Sequence, residues 1–97
     1  MNFSEKPRVK RVRSNASTLT VDFEDGRTHQ LPLIWYPRLF NATQAERNNW
    51  KMIGPGVGVH WPDVDEDLSA DGLLAGRPSI EYLRQSRPTR KPASLAA

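Results

Sequence analysis

The chain contains no cysteine, which removes disulfide staples, thiolate nucleophiles and cysteine-ligated zinc together and suits a reducing compartment. It has no run of about 18 apolar residues able to span a bilayer. The opening "MNFSEKPRVKRVR" lacks the unbroken apolar segment and small-residue cleavage site of a secretory signal. A cytoplasmic protein without membrane association is expected. Histidines number only two, too few for a histidine-rich metal site. Neither a G-x-S-x-G elbow nor a phosphate-cradling glycine loop ahead of a lysine occurs. With 97 residues, 37% of them hydrophobic, one small domain with a single modest core is the ceiling.

What the chain does have is segregated charge. The net +3 divides into +4 over residues 1–13, +4 over residues 77–97 and −5 over the stretch between them. Basic ends can grip an anionic partner and an acidic body can meet a cationic one, although a charge run is most often simply solvated. Arg8, Lys10, Arg11, Arg13, Arg87, Arg90 and Lys91 are the candidates for unspecific contact with nucleic-acid phosphates. They lack the interleaved aromatics of a single-strand binder, and no helix-turn-helix pair is evident, so sequence reading is not expected.

The clearest local pattern is "TLTVDFEDGRTHQLPL" (18–33), where Leu19, Val21 and Phe23 alternate with polar residues before Asp25-Gly26. This predicts a β-hairpin. A three-residue Glu24-Asp25-Gly26 loop pairs Leu19 with Leu31 and His29 with Val21, keeps the apolar residues on one face, and gives Gly26 the left-handed position. "PRVKRVRS" (7–14) reads as an edge strand ahead of the hairpin, despite a Val9–Val12 spacing that breaks strict alternation.

Beyond Pro32 the pattern becomes helical. Pro37 suits a first helical position, and Thr43 with Glu46 three residues on forms a capping box. A helical turn near 37–41 and a helix near 44–51 are predicted, with Leu39, Phe40, Ala45 and Trp50 against the sheet and Gln44, Arg47, Asn48 and Lys51 in water. After Gly54-Pro55-Gly56, a strand from Val57 to Trp61 places Val57, Val59 and Trp61 on one face. Asp67 or Ser69 then caps a helix of about two turns that Gly76 ends, and the segment from Pro78 can be helical. Residues 1–87 thus form one α+β domain, a small antiparallel sheet packed with short helices, and 88–97 read as a disordered basic tail.

Asp63, Asp65, Glu66, Asp67 and Asp71 fall within nine residues. The alternation of Asp63, Asp65 and Asp67 resembles the start of a calcium loop, but the loop's glycine position holds Leu68 and its bidentate-glutamate position holds Leu74. Acids at a helix start also have an ordinary use, meeting unpaired N–H groups. His60, with Asp63 close by, could be drawn as an oriented general base, yet nothing around it supplies a nucleophile or an oxyanion hole. Of the three tryptophans, Trp50 and Trp61 are expected in the core. "LIWYP" (33–37) is expected to expose Trp35 and Tyr36 as an interaction patch.

The stretches "VDFEDGRTHQLPL", "WYPRLFNATQAERNNW" and "GPGVGVHWPDVDEDLSADGLLAGRPS" together resemble the prokaryotic family called domain of unknown function 2442 over about residues 8–80. Phe23, Asp25, Gly26, Tyr36, Pro37, Leu39, Ala42 and Thr43 carry the first half of the pattern. Trp61, Pro62, Asp65, Glu66, Asp67, Leu68, Ser69, Leu73, Leu74 and Gly76 carry the second. The resemblance implies an α+β domain with no known cofactor. Its members occur as short stand-alone proteins near a partner gene, or fused to a DNA-binding helix-turn-helix that this chain lacks.

That context implies the antitoxin-like or regulatory half of a toxin–antitoxin-type pair. An inhibitor of a host defence complex, carried on a mobile element, is the alternative from another class. The resulting expectation is a non-enzymatic protein-interaction module without metal or cofactor. Its partner would be a toxin-like or defence-complex protein, met through Trp35, Tyr36, Asp63, Asp65 and Glu66.

Overall fold

The computed structural model describes residues 6–85. Its first three strands, β1 (Val9–Ser14), β2 (Thr18–Phe23) and β3 (Thr28–Pro32), form an antiparallel sheet in the order β1-β2-β3. The hairpin has the predicted register, with Leu19 opposite Leu31 and Val21 opposite His29. Gly26 takes a positive φ of +96° in the turn, a conformation a β-carbon would strain. The irregular valine spacing in β1 also finds its cause. Between Val9 and Arg11 the register slips by a residue against β2, so that Val9 faces Phe23 while Arg11 faces Asp22. This bulge resets the side-chain parity and lets Val9 and Val12, three apart, both enter the core.

The next elements are a helical turn at Leu33–Trp35, α1 (Pro37–Phe40) and α2 (Gln44–Asn48). The capping box is present in full: Thr43 accepts from the Glu46 N–H, and Glu46 accepts from the Thr43 N–H. The helix is shorter than predicted, because Lys51–Ile53 forms strand β4 instead. Asn48 and Asn49 are weak helix formers, and the Gly54–Val57 turn offers the chain a hairpin partner in β5 (Gly58–Trp61). Phe40 and Ala45, expected against the sheet, are exposed.

Arg47, expected in water, is half-buried. Its guanidinium donates to the carbonyls of Leu39 and Ala42 at the end of α1, to Ser14 Oγ and to Gln44 Oε1. Helix-end carbonyls without an intrahelical partner need such donors. Val57 falls in the turn and is exposed, so the inward face of β5 is Val59 and Trp61.

A strand that periodicity did not announce, β6 (Glu66–Ser69), pairs with β5 and completes a second sheet ordered β4-β5-β6. The later strand of the predicted single sheet therefore belongs to a sheet of its own. Ser69, the last residue of β6, is also the N-cap of α3 (Ala70–Ala75), its Oγ accepting from the Gly72 N–H; Gly76 closes that helix in the left-handed conformation. The chain continues into α4 (Ile80–Gln85). Residues 86–97, including the predicted tail, lie outside the described residues.

The two sheets share one core, in which Val21, Leu33, Leu39 and Val59 have no solvent exposure. Trp61 is buried and its indole N–H donates to the Arg47 carbonyl, while Trp50 is half-buried at the margin. Gly56 hooks one sheet to the other: its carbonyl accepts from the Val9 N–H at 2.7 Å. A β-carbon on Gly56 would lie 2.7 Å from the Val9 carbonyl oxygen, and its φ is +107°.

Candidate functional site: a groove between strand β6 and helix α4

The short α4 has no buried residue. It is held to the body by its first turn, where Ser79 donates to the Trp35 carbonyl through both its N–H and its Oγ and caps the Tyr82 N–H. Arg38 adds an exposed ion pair to Glu81 and donates to the Asp65 carbonyl. In this position α4 leaves Ile80 and Leu83 at 67% and 51% exposure. Between it, α3 and β6 runs an open groove of about 780 Å³. All four residues of β6 line it, with Leu73 and Gly72 of α3, Ile80 and Leu83 of α4, and Tyr36.

Glu66 sets the groove's electrostatics. Burial pushes its carboxyl up from the ordinary value, opposed by the Asp67 N–H and the charge of Arg38 and reinforced by the charges of Glu81 and Asp67. Among the described residues it has no ion-pair partner within 4 Å. Tyr36 is pushed up to about 12, first by burial and then by the Glu66 charge, and its hydroxyl donates to the Arg77 carbonyl.

The expected contact residues separate. Asp65 and Glu66 line the groove. Asp65 sits in the turn before β6 with φ +52°, a left-handed position that aspartate tolerates better than most side chains. Tyr36 reaches the groove but is only 1% exposed, which corrects the expectation of an exposed aromatic patch. It is the residue entering α1, and its ring belongs to the shared core. Trp35 is half-buried against that core beneath the start of α4, and the exposed side chain of this stretch is Ile34. Asp63 lies outside the groove, accepting from the Asn49 side chain at 3.0 Å.

His60 pairs with Asp67, its cross-strand neighbour, and not with Asp63. Among the described residues no three potential metal-ligating side chains cluster. Of the basic candidates, Arg11 and Arg13 both bind Asp22, Arg8 and Lys10 are exposed, and Arg87, Arg90 and Lys91 lie outside the described residues. No helix among the described residues is long and apolar enough to cross a membrane.

Sequence reasoning did not find Leu68, Leu73, Ile80 and Leu83 as groove residues. The signals available were the Glu66/Leu68 alternation and the i, i+3 spacing of Ile80 and Leu83. Each is only two residues long. Chemically the groove combines apolar Leu68, Leu73, Ile80 and Leu83 with four acids, Asp65, Glu66, Asp67 and Glu81, and two arginines, Arg38 and Arg77.

Residues 9–79 match the family described as "Protein of unknown function (DUF2442)", and the chain belongs to that family. A protein of unknown function from Rhodospirillum rubrum, known from a crystal structure, is 30% identical to the chain with a TM-score of 0.67; the match covers 79% of this chain and 95% of that one. The uncharacterized protein CV0863 from Chromobacterium violaceum, solved by NMR, is 22% identical with a TM-score of 0.65, covering 87% of this chain and 79% of its own, and shares the fold. No curated protein matches the chain.

Proposed function

We propose that this member of the DUF2442 family is a non-enzymatic protein-interaction module that holds an apolar, basic segment of a partner protein in the groove between β6, α3 and α4. The observation that carries this reading is the placing of exposed Ile80 and Leu83 in the same groove as half-buried Glu66, which has no ion-pair partner within 4 Å among the described residues. Apolar side chains left in water beside a partly desolvated carboxylate are both stabilised by one occupant with matching chemistry. The partner is the other half of an antitoxin-like or regulatory pair, a role suggested by the family resemblance.

Co-purification from the native host with the neighbouring genes intact tests the reading. A partner should be recovered with the wild-type chain and with Asp63→Lys, and lost with Leu83→Asp and with Glu66→Lys. Recovery undiminished by both groove variants would overturn it. The nucleic-acid reading has less support, because Asp22 already occupies two of the arginines of β1.

A further inference from the structure

Building on the interaction role proposed above, we infer that the partner segment binds in extended conformation, as a fourth strand added to the free edge of β6, with a lysine or arginine beside Glu66 and an apolar residue beside Leu68. Among the described residues strand β6 is the last strand of its sheet, and its whole length forms one wall of the groove. The alternation of its ladder can be read from one bond. Ala70 N–H donates to the Val57 carbonyl, in register with the Gly58–Ser69 pairing. In an antiparallel ladder, pairs that exchange hydrogen bonds alternate with pairs that do not. Val59–Leu68 and Trp61–Glu66 therefore exchange bonds, and the backbone groups of Asp67 and Ser69 are directed to the open edge.

The side chains divide the same way. Glu66 and Leu68 share a face with buried Val59 and Trp61, while Asp67 meets His60 on the other. An added strand would direct alternate side chains into the space between this face and α4, where Ile80 and Leu83 wait. One of these positions adjoins Glu66, and the next on the same face, two residues along, adjoins Leu68. Main-chain bonds to Asp67 and Ser69 supply affinity, and the cation–apolar pair supplies selectivity. The groove's four acids, Asp65, Glu66, Asp67 and Glu81, outnumber its two arginines, Arg38 and Arg77, so an acidic peptide is disfavoured.

Selection of a phage-displayed random dodecapeptide library against the full chain tests the inference. Enriched peptides should carry a lysine or arginine and an apolar residue at i and i+2. In a synthetic copy, N-methylation of an amide facing β6 should weaken binding about tenfold, and methylation of an amide facing away should not. Amide shifts should centre on residues 66–69, and Glu66→Gln should erase the preference for the cation. Absence of enrichment, helical i, i+3/i+4 spacing, or affinity indifferent to N-methylation would each overturn it. If the co-purified partner still depends on Leu83 and Glu66 in any of those cases, the interaction role stands and only strand addition falls. If that dependence is absent too, both fall.

Discussion

Asp22 is the buried charged residue of the first sheet's outer face, and replacing it with asparagine removes the charge while keeping the shape. Its carboxylate accepts from Arg11, Arg13 and Thr28. These partners, Arg11 foremost and then Thr28, hold its pKa at about 2 against an ordinary 3.8. A folded-state pKa below the unfolded one means the charged form is favoured by folding. The stabilisation is full above the unfolded value and is lost as pH falls through the folded one, between about 4 and 2.

Taken at face value the shift corresponds to about 2.4 kcal/mol. The arginine side chains are 59% and 56% exposed, so solvent and salt screening reduce the contribution to about 1–2 kcal/mol. Asp22→Asn should therefore lower stability by about 1–2 kcal/mol at pH 7, a fall in Tm of about 5–10 °C for a domain this size. Urea denaturation followed by tryptophan fluorescence at pH 7 and pH 3 measures it, and the gap between wild type and variant should be roughly halved at pH 3. Equal stabilities at pH 7, or a gap that does not narrow with acid, would refute the assignment of Asp22 as the charge that holds β1 to the hairpin.

Arg47→Ala should cost about 2 kcal/mol in thermal unfolding, because the carbonyls of Leu39 and Ala42 lose their charged donor; Arg47→Lys should restore only part of it. Gly56→Ala should cost about 3 kcal/mol, since the new methyl meets the Val9 carbonyl oxygen in a backbone conformation that L-residues avoid. Denaturant midpoints will show whether the hook between the sheets is as tight as this. Ser69→Ala should cost about 1 kcal/mol by removing the cap on Gly72 N–H, and hydrogen exchange should speed first in α3.

The parts of the fold that were legible in the sequence are those whose determinants lie within a few residues. The hairpin register follows from where Leu19, Val21, Phe23 and Leu31 must face, and the Thr43–Glu46 cap and the Gly76 stop are chemistry of adjacent turns. Parity in β1 was not readable, because one bulged residue changes the face of everything beyond it, and only pairing with β2 fixes where the bulge falls. Strands β4 and β6 are three and four residues long, too short for periodicity to rise above propensity, and the acids of Glu66–Ser69 argue against a strand. Pairing with β5 overrides that local preference. The groove is less readable still. Its walls come from Tyr36, from β6 and from α4, elements that meet only once both sheets are folded.

The acidic run shows how such a segment separates into structural and functional parts. Asp63 ties to Asn49, Asp65 turns the chain while its carbonyl takes Arg38, Asp67 answers His60 across the strand pair, and Asp71 sits in the first turn of α3. Each of these places is a connection that folding alone accounts for. Glu66 differs because folding raises the cost of its charge: it is partly desolvated beside Tyr36, and no cation among the described residues pairs with it. A carboxylate kept in that position destabilises the isolated domain relative to a neutral side chain of the same size. Glu66→Gln should therefore leave the free protein as stable or more stable at pH 7 while weakening partner capture. Loss of stability on that substitution would instead place Glu66 with its neighbours as a structural acid.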